Sequence, residues 1–341
     1  MLPTTSEKRS KYSLLKILAA LIALAVVVFL LGPVNELGPD TPTARPLAPV
    51  VLSELDDWLA KNESQYKQLR PGTQKEIIWA SENKTKTPWS VVYIHGFSAT
   101  RLETSPLAER VATSLGANLY YTRLTGHGLP GEALGKVSAQ DWMADTIEAV
   151  QIGKTLGDKV LVISCSTGST LSTWLATTDS AKSVDAFVFI SPNFGLKNKL
   201  SELINGHWGQ QIALAVSGET IKYEQTDPRE QIAWTSEYPT QALFPMMALV
   251  KKVRDSDLSK FKQPVLVLFS AADQTVDPDM IKQIFASMGS SQKTLEAITY
   301  SNSKGQHVLA GDIRDAASVE PMSKFIMDWV GGLKLESSNR P

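Results

Sequence analysis

The 341-residue chain has little sulfur, little histidine and no excess of charge. It holds one cysteine and four histidines, and its 34 basic and 35 acidic residues leave a formal net charge of −1. A single cysteine excludes an intrachain disulfide and a thiolate-rich metal site. Balanced charge excludes the basic surplus that nucleic-acid binding requires. We therefore expect no nucleic-acid partner, no metal and no cofactor, and any reaction that needs an imidazole has few candidates.

The chain does have one long hydrophobic run, close to its N-terminus. Residues 17–31 are uniformly apolar, and with the three residues before them they form a segment of about 20 residues, long enough to span a hydrocarbon core of ~30 Å as a helix. Basic residues precede the run, whereas none follows it until Arg45. By the positive-inside rule the N-terminus then stays in the cytoplasm. The preceding basic residues are Lys8, Arg9, Lys11 and Lys16.

Two interpretations of this segment are open. A cleaved signal peptide needs a small-x-small site, which the residues after the run, GPVNELGP, do not offer. We favour an uncleaved signal anchor over residues 1–31, with the remainder of a single-pass membrane protein outside the cytoplasm, in the periplasm if the source is bacterial. Residues 32–50 hold five prolines and show no periodicity, which predicts a semi-extended linker.

From residue 51 to 332 the chain shows the rhythm of one α/β domain. Uniformly apolar stretches such as 159–164 and 264–270 predict strands buried on both faces, and they alternate with helical periodicity, as in 51–69 and 140–156. This alternation predicts a mostly parallel sheet with helices on both faces.

One connection in the predicted domain is too long for a plain loop. About 70 residues, from 193 to 263, separate two predicted strands and contain many aromatic and aliphatic residues. We predict a helical cap over the carboxyl edge of the sheet. Residues 333–341 form a polar tail after the domain.

The predicted strand 159–164 runs into the pentapeptide SCSTG. A nucleophile placed on a sharp strand-to-helix turn requires small residues two positions before and two positions after it. Only Ser166 meets this requirement, with Ser164 and Gly168 on either side, so the motif is a G-x-S-x-G elbow whose first glycine is serine. From this motif alone, Ser166 could instead be the cap of the helix that follows.

A serine hydroxyl becomes a nucleophile when a base removes its proton and a third group orients that base. Asp273 lies just beyond the strand 264–270, while the nearby Asp277 directly precedes Pro278 and is better explained as a helix N-cap. His307 follows a later predicted strand. The order serine, aspartate, histidine is thus complete, with each residue after a predicted strand, and predicts a triad of Ser166, Asp273 and His307.

The chain from about residue 75 to 332 resembles the α/β-hydrolase fold, and within it the monoacylglycerol lipase and bacterial carboxylesterase branch. The motifs that carry the resemblance are VVYIHGF, RLTGHG, SCSTG, SAADQTV and GQH. The resemblance implies an oxyanion hole formed by the backbone N–H groups of Phe97 and Thr167. It also implies residues that shape the site without direct chemistry: His95, Gly96, Gly126, His127 and Gly128.

The resemblance, together with the N-terminal run, predicts a membrane-anchored serine esterase. Its substrates would be carboxylic esters such as monoacylglycerols or lysophospholipids. One alternative is an aminopeptidase of the same fold, which needs an acidic cluster in the cap to hold a substrate amine. The candidates are Glu219, Glu224, Asp227 and Glu230. A second alternative is a catalytically inactive, membrane-tethered binding module, which the complete triad disfavours.

Overall fold

A computed structural model describes residues 5–334, with side chains from residue 13 onward. This part of the chain contains nine strands. They are β1 (Glu76–Ile78), β2 (Thr87–Ile94), β3 (Asn118–Tyr121), β4 (Gly157–Cys165), β5 (Ala186–Ile190), β6 (Thr220–Lys222), β7 (Glu237–Pro239), β8 (Val265–Phe269) and β9 (Lys293–Ala297). Seven of them form one sheet in the order β1-β3-β2-β4-β5-β8-β9, in which only β1 is antiparallel to its neighbour.

The same residues form eleven α-helices. They are α1 (Thr5–Leu30), α2 (Leu52–Glu63), α3 (Leu107–Leu115), α4 (Gly131–Leu134), α5 (Ala139–Leu156), α6 (Thr167–Ala176), α7 (Gly209–Ser217), α8 (Pro228–Ala233), α9 (Leu243–Arg254), α10 (Pro278–Ser287) and α11 (Val319–Gly331). In α1, Ser13–Leu30 is long and apolar enough to cross a membrane, a judgement on length and composition alone.

The strands in the middle of the sheet are apolar on both sides because helices cover both faces. One hydrophobic cluster contains residues of α5, α6, α9 and α10, with Trp142 among its largest buried side chains. The other contains residues of α3 and α11 packed on Val91, Tyr93 and Ile163. The prediction of a mostly parallel sheet covered on both faces is confirmed.

One helix is shorter than its periodicity predicts. The pattern over residues 51–69 predicts a single helix, but α2 ends at Glu63. The carboxylate of Glu63 accepts two hydrogen bonds from the guanidinium of Arg123, and the ring of Tyr66 lies 4.2 Å below that guanidinium. The turns after Glu63 allow both contacts, so a long-range interaction ends the helix before its local pattern does.

The cap between β5 and β8 is more varied than a purely helical insertion. It contains the 3-10 helix Lys199–Asn205, the helices α7, α8 and α9, and a small antiparallel sheet made by β6 and β7. The antiparallel pair joins Ile221 to Tyr238, and Tyr238 is buried in the core. The short strands thus fix part of the cap to the domain.

Residues 32–50 lack long regular elements but pack on the domain. Asn35 is buried and donates to the side chain of Asn205 and to the carbonyl of Phe244, both at 2.9 Å. Further along, Arg45 pairs with the buried carboxylate of Asp145. The linker predicted from its prolines is therefore extended but held against the folded domain.

Replacing Asn35 by alanine tests this attachment. The change leaves buried hydrogen-bonding groups of the cap unpaired, so we expect the full-length chain to lose about 1 to 3 kcal/mol of unfolding free energy in a denaturant titration. Asn83→Ala, at an exposed position, is the control and should change little. Equal stability of both variants and the parent would show that the linker does not contribute to the fold.

Candidate active site

The turn between β4 and α6 holds Ser166 in an unusual conformation. Its φ of 51° and ψ of −117° lie in a region that non-glycine residues rarely adopt. Its backbone N–H donates to the carbonyl of Ile190 at 2.9 Å, at the end of the adjacent strand β5. The side chain of Ser166 makes no capping hydrogen bond to α6. Ser166 thus occupies the N-cap position of α6, but its hydroxyl does not cap the helix.

Glycine and serine on either side of Ser166 meet different packing demands. A Cβ atom on Gly168 would lie 2.2 Å from the carbonyl oxygen of Ile94, so no side chain fits there. Ser164, which replaces the first glycine of the motif, is fully buried, and its hydroxyl donates to Ser169 at 3.1 Å. The serine is thus accommodated by a partner on α6, and the departure from the G-x-S-x-G pattern has a structural explanation.

Asp273 and His307 meet beyond the carboxyl ends of β8 and β9. The Nδ1 atom of His307 lies 2.8 Å from Oδ2 of Asp273. The other carboxylate oxygen, Oδ1, accepts the backbone N–H groups of Thr275 and Val276 at 2.7 and 2.9 Å. Asp273 is 1% exposed, so three hydrogen-bonding groups fix a buried carboxylate beside the Nδ1 atom of the imidazole.

The competing aspartate has the role that the sequence predicts for it. The side chain of Asp277 accepts the N–H of Asp279 and caps α10, with Pro278 in the first turn. It also pairs with Lys199 of the cap. Asp277 therefore connects the cap to α10, and Asp273 alone of the two contacts His307.

One cavity brings the predicted site residues together. Ser166, Thr167, Phe97 and His307 all line it, and the wall opposite comes largely from the cap. The apolar part of its lining comprises Leu196, Trp234, Tyr238, Leu243, Met246 and Val308. Among the described residues the Ser166 hydroxyl makes no hydrogen bond. Catalytic hydrogen bonds are often long in the absence of substrate and tighten in the complex.

Two residues that line this cavity, Phe97 and Thr167, have backbone N–H groups without an acceptor in the described chain. The neighbours of Phe97 are both engaged. Gly96 N–H donates to Oε1 of Glu103 at 2.7 Å, and Ser98 N–H donates to Nε2 of His127 at 3.1 Å. Hydrogen bonds thus hold the loop on both sides of Phe97, whose own N–H remains available to a ligand in the cavity.

His95 and His127 join two loops as neutral hydrogen-bond acceptors. Nε2 of His95 accepts the N–H of Leu124 at 3.0 Å, as Nε2 of His127 accepts that of Ser98. Burial lowers the pKa of His95 to about 4. The pKa of His127 is lowered well below its usual value by burial and then by the neighbouring His95. Both rings are therefore uncharged at neutral pH and keep a free lone pair for these bonds.

The glycines of the RLTGHG loop and of the HG pair stand where side chains do not fit. Gly126 and Gly128 have φ of 82° and 72°, and a Cβ atom on Gly128 would lie 2.6 Å from Oγ1 of Thr73. A Cβ on Gly96 would lie 3.1 Å from the Cβ of Ser166. The residues of the HG pair thus approach the elbow closely enough to share its cavity.

Glu103 belongs to this site and was missed by the sequence analysis. It is buried, accepts the N–H of Gly96 and the hydroxyl of Tyr93 at 3.0 Å, and lines the cavity. Burial raises its pKa to about 7, against the opposing effect of the Gly96 hydrogen bond. In the sequence, the only signal of Glu103 is that it is the one acidic residue soon after the HGF motif.

The acidic residues of the cap do not form one cluster. Glu230 pairs with Arg314 at 2.6 Å, and Asp227 pairs with Arg229 at 2.6 Å. Glu219 is exposed and does not line the cavity. Glu224 is therefore the only one of the four that lies at the cavity without an ion-pair partner among the described residues.

Comparisons with known proteins show which family this chain belongs to. A family model described as serine aminopeptidase, S33, matches residues 85–301, more than half of the chain. A thermostable monoacylglycerol lipase of Bacillus sp. (strain H-257) is 25% identical over 251 residues, covering 72% of this chain and 92% of that protein. These findings confirm the resemblance to the lipase and esterase branch of the α/β-hydrolase fold.

Solved structures show the same fold at low identity. A structure reported for LipS and LipT, two metagenome-derived lipolytic enzymes, has a TM-score of 0.59 at 21% identity and covers 76% of this chain and 100% of its own. The monoacylglycerol lipase of Paleococcus ferrophilus has a TM-score of 0.55 at 16% identity, with 75% and 97% covered.

The substitution Gly168→Ala tests the close packing at the elbow. Because the new methyl group would meet a backbone carbonyl at 2.2 Å, the backbone must move, and we expect a loss of roughly 3 kcal/mol or more in unfolding free energy. Gly331→Ala, where no atom lies within 4 Å of the new Cβ, is the matched control. If Gly168→Ala is as stable as the control, the packing described here is wrong.

Glu103→Gln tests the burial of a protonated carboxyl group. With a pKa near 4.5 unfolded and about 7 folded, the carboxyl contributes most to stability below pH 4.5, and this contribution is lost as the pH rises to 7. We expect the variant to lack this loss, so that between pH 4.5 and pH 7 its unfolding free energy rises by about 3 kcal/mol relative to that of the parent. Thermal unfolding across pH 4 to 8 measures the difference; a pH-independent difference, like that of the exposed Glu82→Gln control, would contradict it.

Proposed function

Because the chain belongs to the family described as serine aminopeptidase, S33, and is an α/β-hydrolase with lipase and esterase relatives, we propose that it is a serine carboxylic ester hydrolase. The observation that carries the proposal is the pair of unpartnered N–H groups of Phe97 and Thr167, residues that line the same cavity as Ser166 and His307. Donors fixed in this way are what the tetrahedral intermediate of acyl transfer needs.

In the proposed reaction Ser166 Oγ attacks the ester carbonyl carbon while Nε2 of His307 takes the hydroxyl proton. Asp273 holds the Nδ1–H side of the ring and stabilises the imidazolium. The carbonyl oxygen becomes an oxyanion that accepts hydrogen bonds from Phe97 and Thr167. When the intermediate collapses, the leaving alcohol takes the proton from His307 and an acyl-enzyme remains. Water, deprotonated by the same imidazole, then releases the acid and restores Ser166.

The charges of the cap favour an ester over a peptide with a free amine. An aminopeptidase needs carboxylates free to bind the substrate ammonium. Arginines already neutralise Glu230 and Asp227, which leaves Glu224 as a single unpaired acid at the cavity. The apolar residues of the lining instead suit an acyl chain. We therefore propose lipid-like esters, such as monoacylglycerols or lysophospholipids, as the substrate class.

The apolar helix α1 supports a membrane location for this activity. Ser13–Leu30 has the length and hydropathy of a span, and its side chains are exposed in the folded chain. We propose that α1 is an uncleaved anchor with the basic residues of its N-terminal part in the cytoplasm and the hydrolase domain on the other side. A lipid-like substrate would then be available from the membrane itself.

Ser166→Ala tests the proposed nucleophile. We expect hydrolysis of nitrophenyl esters of short, medium and long acyl chains to fall about 10⁴-fold or more, because the remaining groups can only support direct attack by water. Ser172→Ala, on the same helix, is the control: its hydroxyl bonds the carbonyl of Gly168 at 2.9 Å, and activity should persist. Turnover of aminoacyl nitroanilides but not of esters would instead favour the aminopeptidase.

A further inference from the structure

The end of α1 is fixed to the cap by several contacts. The indole N–H of Trp208 donates to the carbonyl of Val28 at 3.2 Å, and the backbone N–H of Trp208 donates to that of Pro33 at 2.8 Å. The rings of Phe29 and His207 lie 5.9 Å apart. At Gly32 a Cβ atom would lie 2.0 Å from the Trp208 ring. The cap therefore sits directly on the last turn of the helix.

These contacts determine the height of the cap relative to a membrane that α1 would span. Val28 lies two residues before the end of the apolar segment at Leu30, a distance of about 3 Å along a helix axis. A side chain that bonds the Val28 carbonyl is thus at the edge of the hydrocarbon region. Tryptophan is enriched at this level of a bilayer, so Trp208 lies where its amphipathic ring is favoured.

A set of exposed apolar side chains flanks this junction. We name the cap patch as Leu200, Leu203, Leu214 and Val216, which are 70%, 53%, 38% and 81% exposed. They lie on the 3-10 helix Lys199–Asn205 and on α7, two elements that contact each other on either side of His207 and Trp208. Residues 203–218 include no aspartate, glutamate, lysine or arginine. The charged residues on either side of Leu200 are paired, Lys199 with Asp277 and Glu202 with Arg254.

We propose that the cap patch lies in the lipid–water interface of the bilayer that α1 spans, as a second membrane contact beside the helix. The proposal rests on the membrane anchoring proposed above and is carried by the junction at Trp208, because the two elements that hold the patch flank the residue that bonds the end of the span. Exposed apolar side chains at that level gain from contact with acyl chains and headgroup boundaries.

The position of the patch also connects the membrane to the candidate active site. Leu196 lines the cavity and precedes Leu200 by four residues. The 3-10 helix Lys199–Asn205 packs against α9, which contributes Met246 to the cavity wall. A lipid-like ester would therefore leave the bilayer beside the cap elements that border the site.

Fluorescence quenching in lipid nanodiscs tests the docking directly. Full-length Val216→Cys, labelled with an environment-sensitive dye, is compared with Val50→Cys. Val50 is 84% exposed, slightly more than Val216, but lines a groove with Thr155 near the end of the sheet where β4 begins. The native Cys165 is fully buried and should not take the label.

We expect the dye at position 216 to be quenched severalfold more by brominated acyl chains than the dye at position 50, and to be protected from aqueous iodide. Equal access of iodide to both positions would overturn the proposal. A second result would also overturn the proposal: the dye at position 216 is protected from iodide but is not quenched by brominated lipid, and this protection disappears when each nanodisc holds one copy. A second copy of the chain would then cover the patch.

Activity separates the docking from the proposed chemistry. We expect Leu214→Glu with Val216→Glu to reduce hydrolysis of a long-chain monoacylglycerol in vesicles about tenfold, since interfacial binding scales with buried apolar area, and to leave a soluble short-chain nitrophenyl ester unaffected. Leu47→Glu with Val50→Glu, exposed elsewhere, should change neither rate. A parent protein inactive on both substrates would refute the esterase proposal, while the quenching result would still decide where the patch lies.

Discussion

The candidate site depends on how closely the first turn of α6 approaches the end of β2. Gly168 lacks a Cβ, and its backbone packs against the carbonyl of Ile94. This contact holds the preceding Ser166 at a positive φ, a conformation that costs about 1 to 3 kcal/mol. It persists because Ser166 N–H bonds Ile190 and every residue of α6 is buried. The two unpartnered N–H groups come from the two segments that meet at this contact.

Around the elbow, burial favours the neutral forms of two histidines and one carboxyl group. His95 and His127 are uncharged at neutral pH and each accepts a backbone N–H from a loop at the site. Glu103, with its pKa raised to about 7, holds the N–H of Gly96. A fully ionised carboxylate beside the oxyanion donors would repel the charge that forms in the proposed reaction. Burial that keeps Glu103 largely protonated below pH 7 limits this repulsion.

The sequence was sufficient to predict structural features for which local pattern and chemistry agree. Buried strands, the elbow at Ser166, the cap role of Asp277 and the choice of Asp273 follow from short motifs and their order. The sequence was insufficient to predict features in which a residue acts through a partner far away in the chain. Glu63 ends α2 by bonding Arg123, which is 60 positions away, and Glu103 looks like an ordinary surface acid until the fold buries it. Periodicity carries no information about such partners.

The linker, residues 32–50, determines whether an anchored domain rotates freely above a membrane or keeps one orientation. Nineteen free residues would let the domain rotate above a membrane, because a semi-extended chain of that length has considerable reach. Here Asn35 bonds the cap within a few residues of the end of α1, and Arg45 pairs with Asp145 of α5. Trp208 already bonds the last turn of the helix. With so little chain left free, the cap keeps a fixed orientation relative to α1, which the proposed contact of the cap patch with the bilayer requires.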